Sequence, residues 1–439
     1  MTQSASPSPW PLRDRRSPEQ IEADRAAVRT QSDRLRQQNL QDVYQRIVAR
    51  VPEARNDDGV PCVLLDQPNG PVLVASTTLV VGPGDPRIEG YEPPDQPDQA
   101  VQSMRRMRCR PAREAESLVA DVQGLRDEKI TANLNPIVPL GYVIKGDVLP
   151  GLTTVTDAAP PVAEIDPGVR VAIIDTGRAE EQRLDGWSKG VTAVAFDQLD
   201  VVNPEGRNDY FAGHGTFTAG IVRQLSPSCE IYVYRFTHND GMGTDTGAAR
   251  AMLQAVEDAG PDRRLIINAS FGAPAVDGEP PLAISEAVRH ITTEHPDVLI
   301  VASAGNDGAT EKLYPAAFEE VKAVGAVDAD LEPADFSNRG SWVDCSAVGV
   351  GVVSTFVPGV VPPEPTDGTD DIEFGPDAWA TWSGTSFTAP QVSGAVADLC
   401  TQDAGLPPRA AFDQLVAGGL DRREDGLGVV VHLLPGTST

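Results

Sequence analysis

Residues 169–177 read Val-Arg-Val-Ala-Ile-Ile-Asp-Thr-Gly. A short run rich in β-branched and apolar side chains, bounded by a turn residue, is the pattern of a strand buried on both faces. The run ends on Asp175, and a carboxylate there is costly unless a cation or a hydrogen-bond donor meets it. Working outward, similar runs recur at 231–236, 265–270, 298–303 and 321–327. Helical stretches lie between them, including 247–259 and 283–294. Strands separated by crossover helices predict an α/β fold, a mostly parallel sheet with helices on both faces. Reactive groups in such sheets sit at the carboxyl ends of the strands.

Toward the N-terminus the pattern changes across an Ala- and Pro-rich linker at 158–168. Residues 1–16 are rich in Pro and Ser and are expected to be disordered. Residues 17–157 predict a helix followed by a small, separate α+β region with a regulatory or scaffolding role. Ser17-Pro18-Glu19-Gln20 is a helix start with Ser17 as cap and Gln20 closing a capping box. The helix is expected to reach about Arg50 on a broken apolar stripe, as a strut against another domain or as a partner-binding arm. Residues 62–65 and 72–81 predict two strands around Pro68-Asn69-Gly70-Pro71, a turn signal. A short helix is expected at 115–126 and strands at 137–149. Five arginines crowd 105–113, expected as a solvated helix end or a docking or cleavage segment.

Length and composition set the outer limits. The chain has 439 residues, enough for two to three domains. Its 40% hydrophobic content and 40 glycines exclude a mainly disordered protein. No run approaches the roughly 18 apolar residues of a membrane-spanning helix. Residues 1–11 lack the apolar core of a secretory signal, so a cytoplasmic location is expected. Lys and Arg number 36 against 64 Asp and Glu, a net charge of −28 that repels phosphate backbones and argues against nucleic acid. The five cysteines are widely spaced, with no metal-ligand spacing among them, and are expected as reduced thiols.

Two more segments set a reactive side chain beside glycines. Gly213-His214-Gly215-Thr216 opens a helix of small residues with a histidine. Ser383-Gly384-Thr385-Ser386 puts a serine at the N-terminus of an apolar helix, where unpaired N–H groups and the helix dipole favour an oxyanion. Singly, an aspartate at a strand end is a common cap or metal ligand, and a serine at a helix start is commonly an N-cap. Jointly, Asp, His and Ser follow one of the chain orders in which a catalytic triad occurs. A fourth segment, 301–308, reads Val-Ala-Ser-Ala-Gly-Asn-Asp-Gly and sets Asn306 where its amide can meet a developing oxyanion.

On these four motifs, residues 166–435 resemble the catalytic domain of the subtilisin-like serine proteases, the subtilases. The resemblance implies a subtilisin-like three-layer domain over 169–439. It implies that Asp175 orients the histidine, that His214 is general base and then acid, and that Ser386 is the nucleophile. Asn306 would be the side-chain oxyanion donor, with the Ser386 N–H beside it. Gly241, Met242 and Gly243, and likewise Ser270, Phe271 and Gly272, resemble the family's substrate-binding strands, between which an extended peptide adds as a strand. Ala304 and Gly305 would floor the first specificity pocket. The chain departs from the family at Phe387-Thr388, where Met-Ala is common, and at Phe217, where a second histidine often stands; pocket shape is affected, not proton transfer. An acidic, Pro-rich excursion at 358–379 reads as a surface loop or as a rim selecting basic substrates. The first 160 residues match no propeptide pattern of the family.

The expected function is a serine endopeptidase acting on protein or peptide substrates through a Ser386 acyl-enzyme, without cofactor. A transpeptidase or peptide macrocyclase would need the same four residues. A peptide-binding pseudoprotease would need a damaged triad, and none is seen. Calcium enters only through the family resemblance, with no oxygen-ligand loop to support it. Neither nucleic acid nor membrane is expected as a partner. The N-terminal region is expected to engage a protein partner, to self-associate, or to dock over the cleft by pairing 105–113 with the acids of 364–373.

Overall fold

In the computed structural model the described residues are 16–37, 61–68, 71–84, 86–94, 104–140, 148–153, 164–181, 183–200, 206–237, 241–361 and 371–434. The apolar run before Thr176 lies in the strand Asp166–Asp175. This strand begins inside the expected linker, because Asp166 already pairs with Cys229. Its side chains alternate between two cores. Val169, Val171 and Ile173 pack with Phe217, Ile221 and Val392, whereas Ala172 and Ile174 pack with Met252, Ile284 and Ile291. A strand apolar on both faces therefore becomes the centre of a sandwich.

Nine strands form this sheet, in the order Leu420–Asp421, Val429–Val430, Cys345–Val348, Lys322–Val327, Leu299–Ser303, Arg264–Ala269, Asp166–Asp175, Cys229–Arg235 and Val191–Ala193. Every neighbouring pair is parallel except the first, which is antiparallel. Helices His214–Leu225 and Ala389–Gln402 cover one face, and Asp245–Ala259 and Leu282–Glu294 cover the other. The last two start slightly earlier than the apolar pattern predicts, because caps decide where they begin. Thr244 Oγ1 accepts the Gly247 N–H, and the buried Asp245 carboxylate accepts the N–H groups of Ala283 and Ile284, both at 2.8 Å.

The N-terminal region supplies four strands of a second, antiparallel sheet, whose fifth strand is Met242–Thr244. Cys62–Leu65 pairs with Val72–Val81, which pairs in turn with Arg105–Arg108 and with Ala132–Pro139. The helix Ala115–Asp127 seals one face with Leu118, Val122 and Leu125. The arginine cluster is thus a strand and not a helix end. Met107 and Cys109, both buried, alternate with the arginines, and that period of two was the signal for a strand. Arg113 pairs with Asp121 at 3.1 Å inside this region, and Asp371 pairs with Arg207 at 2.9 Å. Residues 362–370 of the acidic excursion lie outside the described residues.

The first described helix, Pro18–Gln37, is a strut. Ser17 Oγ accepts the Gln20 N–H at 3.2 Å, but the Gln20 amide reaches Asp24 at 2.8 Å and does not close the capping box. Val28 is buried with Ala326, Ala334, Phe336 and Val350. Arg16 forms a buried ion pair with Asp24 at 3.0 Å and donates to the carbonyls of Val350 and Gly351. Arg25 pairs with Asp328 and Asp330. A helix with few apolar residues holds its place through these polar contacts. Of the segment 1–16 expected to be disordered, Arg16 is instead buried and ion-paired, while residues 1–15 and the expected helix extension over 38–50 fall outside the described residues.

Candidate active site

Asp175 ends the central strand and is fully buried. Gly213 follows the loop with φ of 81°, a left-handed conformation that glycine adopts without strain, and its turn starts the next helix at His214 itself. The imidazole is thereby aimed at the strand end. Its Nδ1 lies 2.8 and 2.9 Å from the two Asp175 oxygens. The Thr176 N–H donates to Asp175 Oδ1 at 2.7 Å, and the Thr218 hydroxyl donates to Oδ2 at 3.4 Å. Hydrogen-bond donors, rather than an arginine or lysine, meet the buried carboxylate. The helix comes this close because a Cβ on Gly215 would overlap the Gly177 carbonyl oxygen.

Aromatic rings enclose the imidazole, with Phe387, Trp382 and Phe211 centroids at 5.2, 5.4 and 5.9 Å. The two positions where the chain departs from the family pattern meet here, since Phe217 and Phe387 pack at 4.7 Å. One departure fills the space beside the other. His214 Nε2 is buried, with no hydrogen-bond partner among the described residues.

Ser386 lies in a 3₁₀ turn, Thr385–Phe387, which leads through Thr388 into the helix Ala389–Gln402, so the serine stands just before the N-terminus where the sequence puts it. Its hydroxyl donates to the Ser270 carbonyl at 3.4 Å, and the Ser270 hydroxyl donates to the Ser386 carbonyl at 2.8 Å. Asn268 holds Ser270 from below through its amide at 2.9 Å and is itself bonded by Ser393. Asn306 Oδ1 accepts both the N–H and the hydroxyl of Thr385 at 2.8 Å. With the oxygen committed, the amide's donor is its NH₂ group. Ala304 is buried and Gly305 takes φ of 107°, its N–H donating to Thr385 Oγ1 at 3.1 Å. All four motifs therefore converge at one end of the sheet.

The two segments resembling substrate-binding strands are occupied by the chain itself. Met242–Thr244 runs antiparallel to Ala132–Pro139, with Gly243 opposite Val138. The Leu140 N–H donates to the Gly241 carbonyl at 2.9 Å, and the Gly272 N–H donates to the Pro139 carbonyl at 3.3 Å. Residues 137–140 thus lie between Gly241–Gly243 and Ser270–Gly272. Val138 and Leu140 are buried in the cluster that contains Phe211, Phe236 and Phe271. On the other flank, Val148–Leu152 pairs antiparallel with Trp379–Ser383, which ends three residues before Ser386. Contact between the two parts of the chain is made by backbone ladders here.

The sequence places strands at 137–149 but gives residues 137–140 no part in the site, and it singles out neither Thr385 nor Asp197. Thr385 lies within the serine motif, and its hydroxyl was the available signal. Pro136 and Pro139 hide the start of the strand at Ala132, and its pairing partner in the groove is about a hundred positions away. Among the described residues no group of three or more His, Cys, Asp or Glu is arranged to hold a metal ion. No described helix is long and apolar enough to cross a membrane.

Residues 166–416 match the family model described as the subtilase family. Subtilisin BL of Lederbergia lenta is 32% identical over 239 residues, covering 52% of this chain and 75% of that protein. A thermophilic serine proteinase of Bacillus sp. (strain AK1) is 32% identical over 263 residues, covering 57% of this chain and 56% of its own. A cold adapted subtilisin-like serine proteinase of known crystal structure aligns with a TM-score of 0.46 at 24% identity, over 65% of this chain and 97% of that one.

Proposed function

The chain belongs to the subtilase family of serine-type endopeptidases, and on that premise we propose that Asp175, His214 and Ser386 are its catalytic triad. The observation that carries this reading is the buried pair of contacts from His214 Nδ1 to Asp175, made at a strand end that also faces the Ser386 turn. His214 Nε2 takes the Ser386 proton as Oγ attacks the scissile carbonyl carbon. Asp175 stays ionised, holds the Nδ1–H and stabilises the imidazolium that forms. The Asn306 NH₂ and the Ser386 N–H receive the oxyanion. His214 then returns the proton to the leaving amine, and water repeats the sequence to release the acyl-enzyme. For the first step the Ser386 hydroxyl turns from the Ser270 carbonyl to Nε2, a tightening common between resting and substrate-bound sites.

Substrates are extended peptides that add a strand between Gly241–Gly243 and Ser270–Gly272. Residues 137–140 hold that place by the same backbone bonds, so the intact chain is a latent enzyme. Strand addition is the basis of this latency; of the charge-patch docking expected of 105–113, the acids Glu364, Asp367 and Asp370 lie outside the described residues.

A fluorophosphonate probe tests the triad. Stoichiometric labelling at Ser386, located by mass spectrometry and abolished in Ser386→Ala, is the expected result. Absence of labelling in both the intact chain and a Val138→Asp chain with its groove opened would sink the assignment. Mass analysis of the products of one peptide separates hydrolysis from transfer to an added amine.

A further inference from the structure

Asp197 carries no motif and no flanking glycine, yet it sits beside the reacting groups. The two-residue strand Phe196–Asp197 pairs in parallel with Arg178–Ala179, which brings the chain back across the end of the central strand. Asp197 is buried. Its Oδ2 accepts the Gly213 N–H at 2.8 Å and the Thr176 hydroxyl at 3.1 Å. The Thr176 hydroxyl accepts the Gly215 N–H at 3.2 Å, and the Thr176 N–H donates to Asp175. The residue before His214 and the residue after it therefore hang on one bracket, Asp197 and Thr176, whose other end is Asp175. Asp197 Oδ1 is buried and has no hydrogen-bond partner among the described residues.

We propose that Asp197 is a positioning residue for His214, fixing the backbone on both sides of the imidazole so that Nδ1 stays on Asp175. The inference rests on His214 acting as the general base. The bracket works without a formal charge. Burial pushes the Asp197 carboxyl well above the usual carboxylate range, and the neighbouring Asp175 adds to this. The Gly213 and Thr176 hydrogen bonds and the Arg235 charge oppose it. An amide oxygen offers the same acceptor in the same place, whereas a methyl group offers none.

Three full-length variants test this: Asp197→Ala, Asp197→Asn and Thr176→Val. The primary readout is the downfield proton resonance of His214 Nδ1–H, which reports on the Asp175 bond whether or not the groove is filled. The second is the rate of fluorophosphonate labelling at Ser386. Asp197→Ala and Thr176→Val are expected to shift or broaden the resonance and to slow labelling on the order of 10- to 100-fold, the scale of a small misplacement of a catalytic group. Asp197→Asn is expected to keep the resonance and to label within about threefold of the parent, by the same argument. If Asp197→Ala lowers the melting temperature while leaving the resonance unchanged, Asp197 is only part of the scaffold and the proposal falls. If Asp197→Ala does not fold, Thr176→Val cuts the same bracket at its other member, and an unchanged resonance there overturns the proposal equally. Failure of both the parent chain and the Val138→Asp chain to label at Ser386 would overturn the proposed function instead, and the resonance would still report on Asp197.

Discussion

The two ends of the candidate triad are built to different standards. At one end Asp175 and His214 are locked together, with two further donors on the carboxylate and three rings around the imidazole. At the other, Ser386 stands in a three-residue turn, its hydroxyl given to a backbone carbonyl and not to the base. The base is set by the sheet and a helix start, so its geometry comes with the core. The nucleophile is set by short-range contacts with Ser270 and Asn306, beside a groove that the chain's own strand fills. Preorganisation is thus complete where charge must be stabilised and incomplete where substrate must enter.

The strongest way to break this contrast is to remove its weaker partner. Ser386→Ala should abolish turnover, a loss on the order of 10⁶-fold in kcat, while the circular dichroism spectrum stays unchanged. Residual peptide hydrolysis well above that level in clean protein would place the nucleophile elsewhere. Asn306→Ala should cost less, about 10²- to 10³-fold in kcat with a small change in KM, because one oxyanion donor is lost and no proton transfer. Equal losses for the two variants would mean that Asn306 supports the Ser386 turn through Thr385 instead of meeting the oxyanion.

Opening the groove sharpens the contrast from the other side. Val138 is fully buried, and an unpaired carboxylate there costs several kcal/mol. Val138→Asp should therefore release the strand and raise hydrolysis of a short peptide by about tenfold or more, since roughly 1.4 kcal/mol is worth tenfold in occupancy. An unchanged rate would show that residues 137–140 do not limit access.

The smallest expected effect concerns Asp245, which caps the helix Leu282–Glu294 from the first turn of its neighbour. Burial raises the Asp245 carboxyl to about 6, against the backbone donors of Ala283, Ile284 and Leu282 that pull it down. Because the folded value lies above the unfolded one, this contribution is fully present below about pH 4 and is lost as pH rises through 6. Thermal melts of the parent should drop across that window by a few degrees, corresponding to roughly 1–3 kcal/mol. Asp245→Asn keeps an acceptor without the charge and should flatten the curve. Parallel curves for the two proteins would assign the pH dependence elsewhere.

The contrast also explains what was legible in the sequence. The buried strands, the covering helices and all four motifs are local: each is a few residues whose period or glycine flanks declare them. Asp175, His214, Asn306 and Ser386 fall together because parallel sheets bring strand ends to one side. Strands at 137–149 are legible, but the place of the first of them in the groove and the role of Asp197 are not, for the opposite reason. Ala132–Pro139 is buried along its whole length and holds two prolines, so it shows no alternation, and its meaning comes from distant backbone partners. Asp197 matters only through the N–H of Gly213 and the hydroxyl of Thr176, neither of which is near it in sequence. In the arginine strand the run of charge masks the period-two burial of Met107 and Cys109 between the arginines.

The ladders on both flanks of Ser386 have a kinetic consequence. Only seven positions separate Leu140 from Val148, so the occupying strand is tethered within reach of its groove. Such a connection sets an effective concentration of about millimolar, whatever the amount of protein in solution. On the proposed latency, dilution leaves the intact molecule as quiet as before, and a competing peptide must overcome a term that does not fall with volume. Severing that connection converts the same contacts into an ordinary two-body equilibrium, in which the strand can be washed away.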